Sequence, residues 1–268
     1  MYLLLRFSPV LSSLGIFILM AFLLFPPASL LEWLNLEKPS VQYVATIVSF
    51  TFLMLVFTMI FIGAGQRFRD RLRFLLFPIL MLASVWGIIL FSDNRVFLGI
   101  LWVLTPIACW VWYESLYLYW QRPVGYQAYT LERLSGDFYL LAVFLFTYAL
   151  TGVQVLLQIP LWVSLLAASA VFFLIQYDLL QLQKLAVGKS LFFALLGTIL
   201  SLELLIVLNL LPTHFLFFGL SVGLFFYVWL GIGTGSIKEH EEDSKSFTYL
   251  IIGSLGFILA FTSTFWLR

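Results

Sequence analysis

Charge is the scarcest property of this chain. Of its 268 residues, 10% are Asp, Glu, Lys or Arg, where soluble domains carry about 25%. The 14 Lys and Arg nearly balance the 13 Asp and Glu, leaving a net charge of +1. That balance offers no basic surface for a nucleic acid. The single cysteine, Cys109, excludes an internal disulfide; set in an apolar run, it reads as a small packing hydrophobe. The two histidines, His214 and His240, fall on opposite sides of the topology derived below, which argues against a histidine-built metal or hydrolytic centre. No stretch is both long and polar enough to fold as a separate soluble domain, so residues 1–268 read as a single integral membrane domain.

What the chain has instead is apolar length. Hydrophobic residues make up 63% of it, and its mean hydropathy is +1.07. At this size no aqueous core can hide so much apolar surface, and the solvent it implies is lipid. A spanning helix needs about 20 apolar residues. Nine segments qualify, at about 9–31, 41–65, 74–91, 96–120, 138–158, 161–180, 190–211, 215–235 and 247–267. Backbone groups in hydrocarbon must be satisfied within the segment, and these runs lack the two-residue alternation of barrel strands. The expected fold is therefore all-α, a polytopic transmembrane helix bundle of about nine spans. The first apolar run lacks a small-x-small cleavage site and reads as a retained signal-anchor helix. Ile159-Pro160 and Pro212-Thr213-His214 mark tight turns, because proline cannot continue a helical ladder.

Basic residues orient the spans. With the N-terminus inside, the inner segments hold Arg6, Arg67, Arg69, Arg71, Arg73, Arg122, Arg133, Lys184, Lys189, Lys238 and Lys245, and the outer ones only Lys38, Arg95 and Arg268. Eleven against three is a positive-inside bias, and it places the C-terminus outside. The cytoplasmic (plasma) membrane is the expected location. No internal duplication is evident between the first and second groups of four spans.

Ionisable groups within a bilayer are costly and usually serve a purpose. Three acids fall inside the spans: Glu114, Asp178 and Glu203. Glu114, in "WVWYESLYLYWQ", lies six residues before Trp120, roughly 9 Å from the inner end of its helix. Its plainer reading is an interfacial carboxylate bonded to a tyrosine or to Arg122; the sharper one is a group lining an inward-facing cavity. Arg122, Tyr126, Tyr129 and Arg133 follow it and form a candidate inner-face contact set, since arginine beside aromatics holds phosphates or sugar rings. Asp178, in "LIQYDLLQLQK", reads as a solvated helix end, or as part of one pocket with Glu114 and Arg122 if spans 4 and 6 touch. Glu203, in "LSLELLIVLN", stands near mid-span with no Lys or Arg at its depth. A carboxyl there is less costly protonated, and can donate a hydrogen bond to another helix or carry a proton.

Weaker signals complete the sequence. Gly219-x-x-x-Gly223 fits close helix packing, and Pro78 and Pro106 are expected to kink their helices. Gln154, Gln158 and Asn209 are expected to bond across helices. "GIGTGS" at 231–236 lacks the lysine and preceding strand of a nucleotide loop, and "KEHEEDSK" at 238–245 reads as a solvated loop rather than a metal site. No cofactor is indicated. The expected partners are the lipid bilayer and other membrane subunits. Three functions fit: a small-solute or proton/cation-linked transporter, which the mid-span acid favours; an enzyme acting on a lipid-linked substrate at the inner leaflet; and a non-catalytic accessory or scaffold subunit.

Overall fold

A computed structural model describes residues 2–24, 41–62, 68–92, 94–121, 129–183, 186–211, 214–235, 251, 253–256, 258 and 262. Every regular element among them is helical. Eight helices follow in order: α1 (Tyr2–Leu24), α2 (Val41–Ile62), α3 (Phe68–Phe91), α4 (Arg95–Gln121), α5 (Tyr129–Leu156), α6 (Leu161–Leu182), α7 (Val187–Asn209) and α8 (Phe215–Gly235). Six contain stretches long and apolar enough to cross a membrane: Arg73–Phe91, Arg95–Trp120, Leu134–Leu156, Leu161–Leu182, Val187–Asn209 and Phe215–Ile232. These six correspond to the expected spans from 74–91 through 215–235. Over the expected spans at 9–31 and 41–65 lie helices α1 and α2, whose apolar stretches, Phe7–Ala21 and Ser49–Ile60, are shorter than the six; residues 25–31 and 63–65 of those spans lie outside the described residues. Most of the expected span at 247–267 lies outside the described residues.

The turns form where proline and polar residues dictated. Gln158 adopts a φ of 53° between α5 and α6, and Pro160 caps the start of α6 without a side-chain bond. The Asn94 side chain accepts hydrogen bonds from the backbone N–H groups of Val96 and Phe97, both at 3.1 Å, closing the start of α4. The His214 Nδ1 accepts one from the Leu216 N–H at 3.2 Å and opens α8 in the same way. That local job accounts for a histidine the sequence left alone at a turn.

The chain divides into two compact units, 1–82 with 93–131 and 83–92 with 132–268. In the first, α1 lies against α2 and α4. Its best-defined device answers a proline. Pro78 has no N–H, so the carbonyl four residues earlier, on Phe74, loses its helical partner. The indole N–H of Trp112 on α4 donates to that carbonyl at 3.0 Å within a buried site. Phe77 tilts against the same indole at 4.8 Å between centroids. A second indole, on Trp102, stacks on Phe17 at 4.5 Å and donates to the Phe17 carbonyl at 3.1 Å, tying α4 to α1.

In the second unit, α7 lies against α6 and α8. Its buried face is Ser190, Ala194, Gly197, Thr198, Ser201, Leu205 and Leu208. The first five are small, which lets neighbouring backbones come close where lipid supplies no hydrophobic drive for helix association. Thr198 and Ser201 donate to carbonyls four residues back, each at 2.7 Å, so these hydroxyls are satisfied within α7 itself. Gly219 and Gly223 of α8 both face Phe144 of α5. A Cβ on Gly219 would come within 2.8 Å of the Phe144 carbonyl oxygen, whereas one on Gly223 would sit 3.6 Å from the Phe144 Cβ. The small-residue spacing thus marks an α5–α8 contact, and only Gly219 is sterically required there.

Candidate functional site

Burial on α6 changes along its length. In the N-terminal half one stripe is covered, through Ser164, Ala168 and Phe172. Over the last turns the covered set becomes Ile175, Gln176, Asp178, Leu179 and Leu180, which widens the covered face to somewhat more than half of the circumference. A polar-rich segment, "IQYDLLQLQ", is therefore enclosed on several sides. Leu182 ends the helix four residues after Asp178, so the acid lies roughly 6 Å inside the helix end.

Asp178 is 5% exposed and its Oδ2 accepts a hydrogen bond at 2.7 Å from the hydroxyl of Tyr139, which is fully buried on α5. A solvated helix end does not describe this carboxyl. Ser135, also fully buried, lies one turn before Tyr139 on the same face of α5. Gln181 lies one turn beyond Asp178 on the same face of α6, and its buried Nε2 has no hydrogen-bond partner among the described residues. Two helices thus bring a carboxyl, a phenol, a hydroxyl and an amide donor to one end of the second unit. A buried amide hydrogen left unmatched costs about 1–3 kcal/mol, so an added acceptor beside Gln181 would be stabilising.

Gln176 serves the other side of α6, about 200° round the helix from Asp178 at 100° per residue. It is fully buried, and both its Oε1 and Nε2 lack hydrogen-bond partners among the described residues. Its carboxamide and the indole of Trp229 from α8 both lie over Gly197 of α7, where a Cβ would collide with each. Glycine at 197 is what admits the two polar groups to the centre of the unit.

Glu203 has the opposite setting. It is exposed on α7, on the side away from the small-residue face, and it has no hydrogen-bond or ion-pair partner among the described residues. Asn209 ends the helix six residues later, which puts the carboxyl roughly 9 Å from that end. The exposed residues around it are Leu196, Ile199, Ile206 and Val207, all apolar. Glu114 is half-buried on α4 and belongs to the first unit, while Asp178 and Glu203 belong to the second. Arg122 and Tyr126 lie outside the described residues; Tyr129 and Arg133 are described only as backbone within the first turns of α5. Of the expected cross-helix amides, the Gln154 Nε2 reaches the Asn209 Oδ1 of α7 at a long 3.5 Å, and Asn209 in turn donates to the Leu205 carbonyl at 2.8 Å. Gln158 is exposed in the turn.

Sequence reasoning placed Asp178 at a helix end but missed Tyr139 and Ser135. Their four-residue spacing near the same end of the next hairpin helix was the available signal. Tyrosine at that level of a span reads as an interfacial anchor, which hid it. Among the described residues no group of three or more His, Cys, Asp or Glu gathers to hold a metal ion. No family model, curated protein or solved structure matches the chain.

Proposed function

We propose that this is a multi-pass transporter in which the second unit carries a proton or small cation, coupled to a small polar solute, through a site built on Asp178, Tyr139, Ser135 and Gln181. The observation that carries the reading is the enclosed Asp178 carboxyl bonded to the Tyr139 hydroxyl at 2.7 Å. A carboxyl enclosed within an apolar helix bundle is an expensive feature to maintain, and intramembrane acids of this kind mark ion and proton pathways. The Asp178 carboxyl takes up and releases the proton, the Tyr139 O–H holds its Oδ2 in place, and the unmatched Gln181 N–H is offered to a solute oxygen or a water. The proposal includes nine spans, an N-terminus inside and a C-terminus outside the cytoplasmic membrane, supported by the positive-inside bias and the six apolar helices. It keeps Glu114, Arg122, Tyr126, Tyr129 and Arg133 as an inner-face contact set for an anionic or sugar-bearing group.

The test is flux in proteoliposomes holding the purified chain and an internal pH dye. Under an imposed pH or sodium gradient, the wild-type chain should move protons or cations at least tenfold faster than protein-free vesicles, and Asp178→Asn should remove that excess. A wild-type rate equal to the empty vesicles, or an undiminished rate in Asp178→Asn, rejects the reading. A second reading, an accessory membrane subunit, is favoured by one observation: Glu203 faces outward, where other membrane helices would meet it. Flux with no dependence on any acid would move the balance to that reading.

A further inference from the structure

The seam between α6 and α7 carries polar atoms that the Asp178 site does not use. Gln176 is fully buried, and its Oε1 and Nε2 have no hydrogen-bond partner among the described residues. Its Oε1 and the Trp229 Nε1 share the spot over Gly197 that a Cβ would fill. Gln183 lies seven residues after Gln176, and Ser190 seven before Gly197. Across an antiparallel hairpin the two share a level about 10 Å nearer the connecting turn. The Gln183 Oε1 and the Ser190 Oγ are also buried there without a hydrogen-bond partner among the described residues. By contrast, Thr198 and Ser201 on the same face of α7 are matched within their own helix. Packing does not ask for a carboxamide at 176, since leucine fills much the same volume and leaves no polar atom to match.

We propose that Gln176 and Trp229 form a binding site over Gly197 for an uncharged planar amide, a molecule that carries N–H and C=O side by side. A carboxamide presents one donor edge and one acceptor edge together, and a cis-amide matches both at once. The ligand N–H donates to the Gln176 Oε1, and its carbonyl accepts from the Gln176 Nε2. The Trp229 indole N–H serves the second lone pair of that carbonyl. The ligand is neutral because nothing there would answer a charge. Among the described residues, Asp178 lies about 200° round α6 from Gln176, and Lys189 and Glu203 are exposed on α7. An ion at Gln176 would be desolvated without a counterion. The ligand is flat because rings surround the spot: Trp229 stacks on Phe225 at 6.2 Å and tilts against Phe193 at 6.1 Å between centroids. Trp229 is also the way in. Gln176 and Gly197 are buried, whereas the indole is partly exposed, so a change of its side-chain rotamer uncovers the carboxamide.

The test uses the full chain in lipid nanodiscs and two probes that share one ring, 2-pyridone and its N-methyl derivative, in which the N–H is lost. Saturation-transfer NMR titrations should give 2-pyridone a Kd about tenfold lower, because the methylated ring leaves the Gln176 Oε1 without a donor. Gln176→Leu should abolish that preference. Trp229→Phe, which keeps a ring and loses the N–H, should weaken 2-pyridone about fivefold. Melting without any probe adds a readout that a structural glutamine would move the other way. Gln176→Leu should melt about 2–4 °C above wild type, since an unmatched carboxamide is gone. Equal affinity for the two rings overturns the proposal, as does no binding of 2-pyridone at millimolar concentration. So does a preference that survives in Gln176→Leu, or a Gln176→Leu chain that melts below wild type. None of these measurements reads flux, so failure of this site leaves the transport reading standing, and the reverse also holds.

Discussion

Helices α6 and α7 are neighbours of nearly the same length, 22 and 23 residues, and each carries one acid. On α6 the acid lies near the end, where a sequence reader expects water, and the structure encloses it and bonds it to Tyr139. On α7 the acid lies deeper, where a reader expects an enclosed functional group, and the structure turns it outward, with no partner among the described residues. Depth along a helix is written in the sequence by the length of the apolar run. Direction around the helix is set by which neighbours are present, and in lipid both faces are apolar. The 3.6-residue periodicity that separates buried from solvent faces in soluble helices is therefore nearly absent here. What remains to give direction is size: the small residues Ser190, Ala194, Gly197 and Ser201 face protein, and the large ones opposite face outward.

That contrast can be broken most severely by exchanging function between the two acids. Asp178→Asn should lower proton or cation flux at least tenfold, while Glu203→Gln should leave it within about twofold, since one variant touches the enclosed site and the other an outer face. Equal losses in both would erase the distinction. Stability should divide the same way. Asp178→Leu removes the carboxylate that accepts from the buried Tyr139 hydroxyl and should cost about 1–3 kcal/mol in reversible unfolding from bicelles. Glu203→Leu, which removes a polar group from an apolar surface, should cost nothing measurable. A destabilised Glu203→Leu protein would show that the outer face is covered.

Packing supplies a finer version of the comparison. Gly219→Ala forces a Cβ toward the Phe144 carbonyl and should destabilise by about 1–3 kcal/mol, with Gly223→Ala near neutral, read from thermal melts of the two variants. Similar melts for both would mean that the α5–α8 approach is looser than the geometry requires. The smallest effect expected is in the first unit. Trp112→Phe keeps the ring but removes the N–H that serves the Phe74 carbonyl, and should cost about 1 kcal/mol, an effect that Pro78→Ala in the same chain should cancel by restoring the helical donor. Additive losses in the double variant would show that the indole and the proline act separately.

The parts of the fold legible beforehand follow from these same facts. The spans from 74–91 to 215–235, the turn at Ile159-Pro160 and the role of Gly219 all rest on local chemistry: run length, a missing N–H, a missing Cβ. The partner of Asp178 was not legible, because Tyr139 and Asp178 lie 39 residues apart and nothing local joins them. Nor was the orphaned carboxamide of Gln176, whose place depends on a glycine on one helix and a tryptophan on another.

The claim that burial, and not depth, divides the two acids has a direct measurement on the unmodified chain. Dicyclohexylcarbodiimide partitions into lipid and adds covalently to protonated carboxyls that it can reach. Wild-type protein in vesicles is treated with the reagent, digested and read by mass spectrometry. The account predicts an adduct on Glu203 and none on Asp178. An adduct on Asp178 with Glu203 spared would contradict it.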